Sequence, residues 1–270
     1  MKEESVYVWQ AKVLDNQPKA EGIFELTLSC PQAEQFGLGQ FLCLEPFAPE
    51  SVMARPFSIY TKKRIDSHNT VNWTISLLIK ITGKNTQLLS KLKPGQEIKA
   101  WGPLGTAINP KDFIHYDRIS LVGGGVGIAA LCQWQHESKK QGRLREVFYG
   151  NRSQSESVTD LDFIGEMPIQ LATDDGSLGF HGLVTDLFFQ KSNALPGDLV
   201  VVCGPKPMMR RMAEICDQKG ITCLVSLERT MACGLGVCLG CTIQTLRGPQ
   251  RICCEGPIFD TKVVRDELSS

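Results

Sequence analysis

The feature that most restricts this chain is a crowd of thiols near its end. "MACGLGVCLGC" places Cys233, Cys238 and Cys241 within nine residues, and "RICCEGPIF" adds Cys253 and Cys254. Eleven cysteines in 270 residues is a high count. Clustered thiols in a reducing compartment point to metal or cluster binding, because disulfides are rare there. The spacing Cys-x4-Cys-x2-Cys with a later cysteine is the plant-type pattern for a 2Fe–2S cluster. Four thiolates must converge on two irons, and Gly234, Gly236 and Gly240 let the loop wrap with its N–H groups toward the sulfurs. Zinc is the rival, but structural zinc usually takes paired Cys-x2-Cys knuckles, which a four-residue gap does not suit. Spacing alone leaves Cys253 and Cys254 both open as the fourth ligand. Cys30, Cys43, Cys132, Cys203, Cys216 and Cys223 sit singly in apolar contexts and read as small buried hydrophobes.

Composition narrows the partners. Lys plus Arg equals Asp plus Glu, so the formal charge is zero, and no basic stripe invites nucleic acid. No apolar run approaches the roughly 18–20 residues of a membrane span. The opening "MKEESVYVWQ" lacks the positive-then-apolar grammar of a secretion signal, so the expectation is a cytoplasmic protein.

The patterning divides the chain into three parts. Residues 1–110 read as antiparallel β structure, with period-two alternation in "IFELTLS" and in "VNWTISLLIKI". The latter puts Val71, Trp73, Ile75, Leu77, Ile79 and Ile81 on one face and mostly polar residues on the other. Turns fall at "FGLGQF", "LKPGQ" and "WGPLG". Short strands with little helix predict a small barrel, and "TKKR" at 61–64 reads as a solvated loop. Residues 111–226 alternate strand and helix, which predicts a parallel α/β sheet. Met208, Met212 and Ile215 mark the apolar face of one of its helices. From 227 to 270 regular patterning fades into a small cluster module. The expected class is therefore an α+β multidomain protein.

Other constellations are weaker singly. In "LVGGGVGIAAL", Gly123, Gly124, Gly125 and Gly127 join a strand to a helix, where bare backbone can approach a pyrophosphate at a helix start. The next strand ends "FYGNR", without the acidic residue that would choose NAD over NADP, so residue chemistry leaves that choice open. In "ARPFSIY", Arg55 can pair with a phosphate, Phe57 offers a flat face to a ring, and Ser58 can hydrogen-bond a flavin ring nitrogen. Asn85 and Thr86 in "TGKNT" can cap a helix or meet a phosphate.

In this order the motifs resemble those of the ferredoxin–NADP reductase superfamily over nearly the whole chain, and within it the electron-transfer subunits of type B dihydroorotate dehydrogenases. "RPFSI" resembles the family's flavin motif, so the resemblance implies that Arg55, Pro56, Phe57 and Ser58 hold FAD. Leu78, Ile79 and Lys80 match the strand along the flavin. Asn85 and Thr86 match a Gly-Thr pair, with Asn85 departing from the glycine. "GGGVGIAAL" is similar to the nicotinamide turn, with Ala129 and Ala130 where prolines are common. "ATDDGSLGFHGLVTDLF" and "CGPKPMM" resemble later nucleotide-domain motifs, implying that Asp174, Asp175, Cys203, Gly204 and Pro205 lie near the nicotinamide or flavin. The family's last ligand lies three residues before the glycine of a Gly-Pro-x-Phe stretch, which implies Cys253.

The resemblance implies a division of labour. A partner subunit oxidises dihydroorotate on its own FMN, and electrons cross to this cluster, then to FAD, then to NAD, in pyrimidine biosynthesis. The implied assembly is a heterotetramer with two copies of each subunit. An orotate-binding barrel would need about 250 further residues, so this chain alone should not oxidise dihydroorotate. Alternatives are the same cofactors serving a sulfhydrogenase or a ferredoxin-dependent complex, a self-sufficient NADH oxidoreductase, and a non-enzymatic zinc-stabilised interaction module.

Overall fold

The computed structural model describes residues 5–45, 53–67, 70–161 and 169–269. The first part is a seven-stranded antiparallel sheet made of β1 (Tyr7–Ala20), β2 (Ile23–Ser29), β3 (Phe41–Glu45), β4 (Arg55–Ser58), β5 (Thr61–Ser67), β6 (Thr70–Lys80) and β7 (Glu97–Leu104), with the short helix α1 (Lys84–Leu89) after β6. The strand order is β4-β3-β7-β1-β2-β6-β5. Its two edge strands, β4 and β5, are consecutive in the chain, so Ile59 and Tyr60 draw the edges together and the sheet rolls into a barrel. The Tyr60 N–H donates to the Ser76 carbonyl across this corner.

Alternation explains the barrel's interior. Ala11 and Val13 of β1, Leu26 and Leu28 of β2, and Ile75, Leu77 and Ile79 of β6 form one closed apolar cluster with Phe36 and Leu42. Each such fully buried aliphatic side chain contributes about 1.5–3 kcal/mol.

Two expectations change here. The second face of β6 is buried as well, at Thr74, Ser76 and Leu78, while Ile81 beyond the strand is exposed; the side chain of Val71 lies outside the described residues. Leu78 packs against the α/β part, while Ser76 and Thr74 hydrogen-bond to Thr61 Oγ1 and the Lys63 carbonyl of β5. The segment "TKKR" is strand rather than solvated loop. Lys62 donates to the Phe36 carbonyl at 2.5 Å, and burial lowers its pKa.

The second part is a sheet of β8 (Ile119–Gly124), β9 (Leu144–Asn151), β10 (Ile169–Thr173), β11 (Phe180–His181), β12 (Leu199–Cys203) and β13 (Thr222–Ser226), covered by α2 (Ile128–Lys140), α3 (Val184–Lys191) and α4 (Lys206–Gln218). These six strands run parallel in the order β11-β10-β9-β8-β12-β13. β8 and β12 are buried along their whole length, as parallel strands covered on both faces must be. The chain leaves β8 toward β9 on one side and returns to β12 on the other. That reversal opens a crevice at the carboxyl ends of β8 and β12, the usual ligand position in such sheets.

The last part is a hairpin of β14 (Thr242–Thr245) and β15 (Gly248–Arg251), the one-turn helix α5 (Ile252–Glu255), strand β16 (Ile258–Asp260) and helix α6 (Arg265–Ser269). β16 pairs antiparallel with β13, Val225 opposite Phe259. The segment that follows the cysteines is thereby the edge of the parallel sheet, not a free appendage.

Candidate functional site

A cleft of about 910 Å³ opens between the barrel and the α/β sheet. One wall is β4, with Arg55, Pro56, Phe57 and Ser58, beside Leu78, Ile79 and Lys80 at the end of β6. Gly83, Lys84, Asn85 and Thr86 close one end. Three separate stretches singled out in the sequence thus meet in one place. The α/β sheet contributes Val126 and Ala129 from the glycine turn and the start of α2.

Each wall has a local cause. β4 pairs with β3, Leu42 opposite Phe57 and Cys43 opposite Pro56, which presents the "RPFS" strand edge to the cleft. Arg55 folds back, its Nη1 donating to the Met53 and Ala54 carbonyls at 3.0 Å each. Thr86 Oγ1 accepts from the backbone of Thr82 and Gly83 at 2.9 and 3.2 Å, fixing the turn into α1. Lys80 pairs with Glu156 at 2.8 Å, and Arg152 pairs with the same carboxylate. These two cations hold Glu156 below the usual carboxylate range, Arg152 contributing most. This triad clamps barrel to sheet.

Sequence reasoning missed the third wall. Ser226, Leu227, Glu228, Arg229, Thr230 and Met231 line the cleft, with Phe41, Met53, Thr82 and Pro257. Glu228 is accessible from the open cleft yet walled by protein, and desolvation raises its pKa. The signal was the unbroken run of "SLERTM" into the first cysteine.

The glycine turn divides by role. A Cβ on Gly127 would stand 2.5 Å from the Cys203 carbonyl oxygen, and one on Gly124 2.6 Å from Met208 Sδ. A Cβ on Gly123 would meet Ile128 at 2.6 Å, and one on Gly204 would meet Met208 Cε at 2.5 Å. Those four glycines serve close packing, Gly123 against the start of α2 and the others between the turn, the end of β12 and α4. Gly125, at φ +55°, faces open space and is the one left to approach a ligand. Pro205 caps α4 beside this turn, and Cys203 is buried at the end of β12. Asp174 and Asp175 lie in the exposed turn after β10 rather than in the cleft lining. The Asp174 N–H donates to the Asn151 carbonyl, and Asp175 accepts from Ser177.

The third wall runs straight into the cysteine loop. Gly234 and Gly236 adopt φ of +69° and +76°, and Leu239 is left-handed too at +59°. Glycine carries no penalty there, so two of the bends are free. The loop folds its thiols into two pairs. The sulfurs of Cys233 and Cys238 lie 3.3 Å apart, and the Cys253 N–H donates to Cys241 Sγ at 3.5 Å. A cluster of two irons needs two cysteines on each, whereas a single tetrahedral zinc needs four donors about one point. The donor set therefore fits the binuclear cluster.

At Cys233 the surroundings favour the thiolate, whereas burial at Cys253 pushes its thiol up. Desolvation opposes ionisation of Cys233, yet backbone N–H groups of Cys238, Leu235 and Val237 bring its pKa down to about 7. Donors trained on a thiolate are what cluster sulfurs require. Cys253 is buried and accepts from the Gly236 N–H at 3.1 Å, while Cys254 is half-buried with its sulfur 3.7 Å away.

The barrel pins this loop. Trp101 Nε1 donates to the Cys233 carbonyl at 3.2 Å. The Gly105 N–H donates to the Cys253 carbonyl at 3.0 Å, and Thr106 Oγ1 to that of Cys254 at 2.7 Å. A Cβ on Gly234 would press on Cys43 Sγ and Leu104 Cδ1 at 3.0 Å. Cys43 is the strand partner of Pro56, so one layer of β3 separates the loop from the "RPFS" strand.

A barrel with a flavin-type cleft, a parallel sheet with its crevice on the same cleft, and a thiolate loop on its third wall define a flavin- and iron–sulfur-dependent oxidoreductase. Comparisons with known proteins give the same class. Residues 18–108 match the oxidoreductase FAD-binding domain, and 228–265 match the iron–sulfur cluster binding domain of dihydroorotate dehydrogenase B. The dihydroorotate dehydrogenase B (NAD(+)) electron transfer subunit of Clostridium acetobutylicum is 36% identical over 92% of this chain and 93% of its own. A homolog of that subunit from Aquifex aeolicus is 35% identical over 94% and 97%. The solved NADH-dependent reduced ferredoxin–NADP oxidoreductase superimposes with a TM-score of 0.80 at 25% identity, over 97% of this chain and 92% of that one. The chain belongs to the family of dihydroorotate dehydrogenase B electron transfer subunits.

Proposed function

We propose that this chain carries electrons between a dihydroorotate-oxidising partner and NAD+, on the pathway to pyrimidines. The observation that carries the reading is the shared wall: residues 226–231 line the flavin cleft and continue directly into Cys233. FAD, when bound, exchanges electrons singly with an iron–sulfur cluster and in pairs, as hydride, with a nicotinamide. The protein's part is to hold and orient the three. Arg55, Pro56, Phe57 and Ser58, with Leu78, Ile79, Lys80, Asn85 and Thr86, would hold FAD. Gly125 and the crevice beside Cys203, Gly204 and Pro205 would take the nicotinamide half of NAD. Asn151, Asp174 and Asp175 border the outer part of the same carboxyl edge. Cys233, Cys238, Cys241 and Cys253 would ligate the cluster, with Cys254 a neighbour.

Leu235, Val237 and Leu239 are exposed on either side of Cys238, Val237 by 80%. Large apolar side chains grouped at an exposed thiolate loop suit a protein partner, and we take this rim as the face for the FMN-containing catalytic subunit in an assembly of two copies of each. No helix among the described residues is long and apolar enough to cross a membrane. The free clustered thiols suit the reducing cytoplasm.

The experiment is a visible spectrum of anaerobically purified chain with flavin, iron and sulfide analysis. The expected result is one FAD and two irons per chain, NADH-driven dye reduction by the chain alone, and dihydroorotate oxidation only after the catalytic subunit is added. A colourless protein holding one zinc overturns the reading. A second reading, the same cofactors serving a ferredoxin-linked complex, is favoured by the 0.80 superposition; rapid reduction of ferredoxin, with no response to a dihydroorotate-oxidising subunit, would select it.

A further inference from the structure

Arg251 opens the "RICCEGPIF" stretch at the end of β15, two residues before Cys253, and has been given no role so far. Its side chain reaches the opposite half of the thiolate loop, where Nη1 donates to the Gly236 carbonyl at 3.1 Å. Gly236 in turn gives its N–H to Cys253 Sγ at 3.1 Å. A Cβ on Gly236 would stand 2.4 Å from Cys254 Sγ and 2.9 Å from Arg251 Nη1, so guanidinium and thiols crowd one spot. Glu255 takes the other edge of the guanidinium. Its carboxylate accepts from Arg251 Nη2 at 2.5 Å, from Nε at 3.3 Å and from the backbone N–H at 2.6 Å.

This arrangement has an electrical consequence. A cluster held by four thiolates is anionic and becomes more so when it takes an electron. A cation close to the sulfurs favours the reduced form, and a carboxylate opposes it. Here both charges are fixed by hydrogen bonds. The guanidinium hydrogen-bonds the loop that carries Cys233 and Cys238, and the Glu255 carboxylate is held on the guanidinium's other edge.

We propose that Arg251 is a positioning residue that straps the loop of Cys233 and Cys238 to the segment of Cys253 and raises the reduction potential of the cluster, with Glu255 moderating that charge. The proposal rests on the 2Fe–2S reading above. The pair is about one-third accessible, so solvent damps the effect.

The test is a potential titration of the full chain, following the paramagnetic signal of the reduced cluster, with iron and sulfide content and the FAD midpoint as controls. Arg251→Met should shift the reduction equilibrium about tenfold toward the oxidised cluster, about 59 mV for one electron. Glu255→Gln should shift it severalfold the other way, and Arg251→Lys should stay close to the unaltered chain. The FAD midpoint should not move. Opposite signs are what a purely structural role does not produce. Shifts of one sign, or none, overturn the proposal. If Arg251→Met fails to load the cluster, Glu255→Gln decides alone, and an unchanged midpoint there overturns it. A missing iron signal in the unaltered chain defeats the cluster reading itself, and is seen before any variant is made.

Discussion

The flavin wall of β4 and β6 stands on a closed apolar barrel whose strands satisfy one another's backbone, whereas the loop from Met231 to Cys241 buries few side chains of its own. Of that loop, Met231 and Cys241 are fully buried, and Leu235, Val237 and Leu239 face outward. Its shape depends on left-handed glycines, on the hydrogen bond from Trp101 to the Cys233 carbonyl, and on thiols that a bound cluster would hold together. The first region should be ordered without its cofactor. The second should need its cofactor to hold its shape. The lesson is that neighbouring halves of one relay can be lost independently.

The largest expected effect is on the metal side. Cys241→Ser should abolish the cluster absorption while the flavin bands and NADH-to-dye activity persist; joint loss of flavin would break the contrast. The converse is Arg55→Ala, which should weaken flavin retention about tenfold, near 1.4 kcal/mol, at unchanged iron content. Gly234→Ala comes next. It forces a left-handed alanine at a cost of about 1–2 kcal/mol and presses on Cys43 and Leu104, so iron content should fall with flavin retained. Trp101→Phe removes one hydrogen bond, worth about 0.5–1.5 kcal/mol, and should quicken iron loss to a chelator severalfold without altering flavin.

The smallest effect tests the clamp between the parts. Glu156 is held below the usual carboxylate range by Arg152 and Lys80. Its contribution is therefore fully present above the unfolded pKa of about 4.3 and is lost as pH falls through the lower folded value. Glu156→Gln should cost no more than about 1 kcal/mol at neutral pH, since the pair is partly exposed. It should also flatten the acid limb of stability measured by thermal unfolding.

Much of this was legible in order along the chain. The alternation in "IFELTLS" became β2, and the strand–glycine–helix grammar of "LVGGGVG" became β8 and α2. Met212 and Ile215 reached the core as their spacing predicts, and Met208, partly buried against the same core, also seats the glycine turn. Cys-x4-Cys-x2-Cys identified the cluster loop before any fold was known. The same alternation misled at β6, whose polar-looking face is buried too, Leu78 against the α/β part and Thr74 and Ser76 bonded to β5. Nothing local could announce that Arg251 reaches Gly236, or that Glu228 and Met231 wall a cleft with Arg55, about 170 residues away.

The sequence by itself determined the secondary-structure grammar, the thiolate spacing and the motifs, because periodicity and ligand spacing are properties of neighbouring residues. Only the tertiary structure decided which motifs share a cleft, which glycines are spent on packing, and which charges stand beside the thiols. Those depend on how two sheets and a loop close on one another, and that closure is set by the burial of surfaces far apart in the chain.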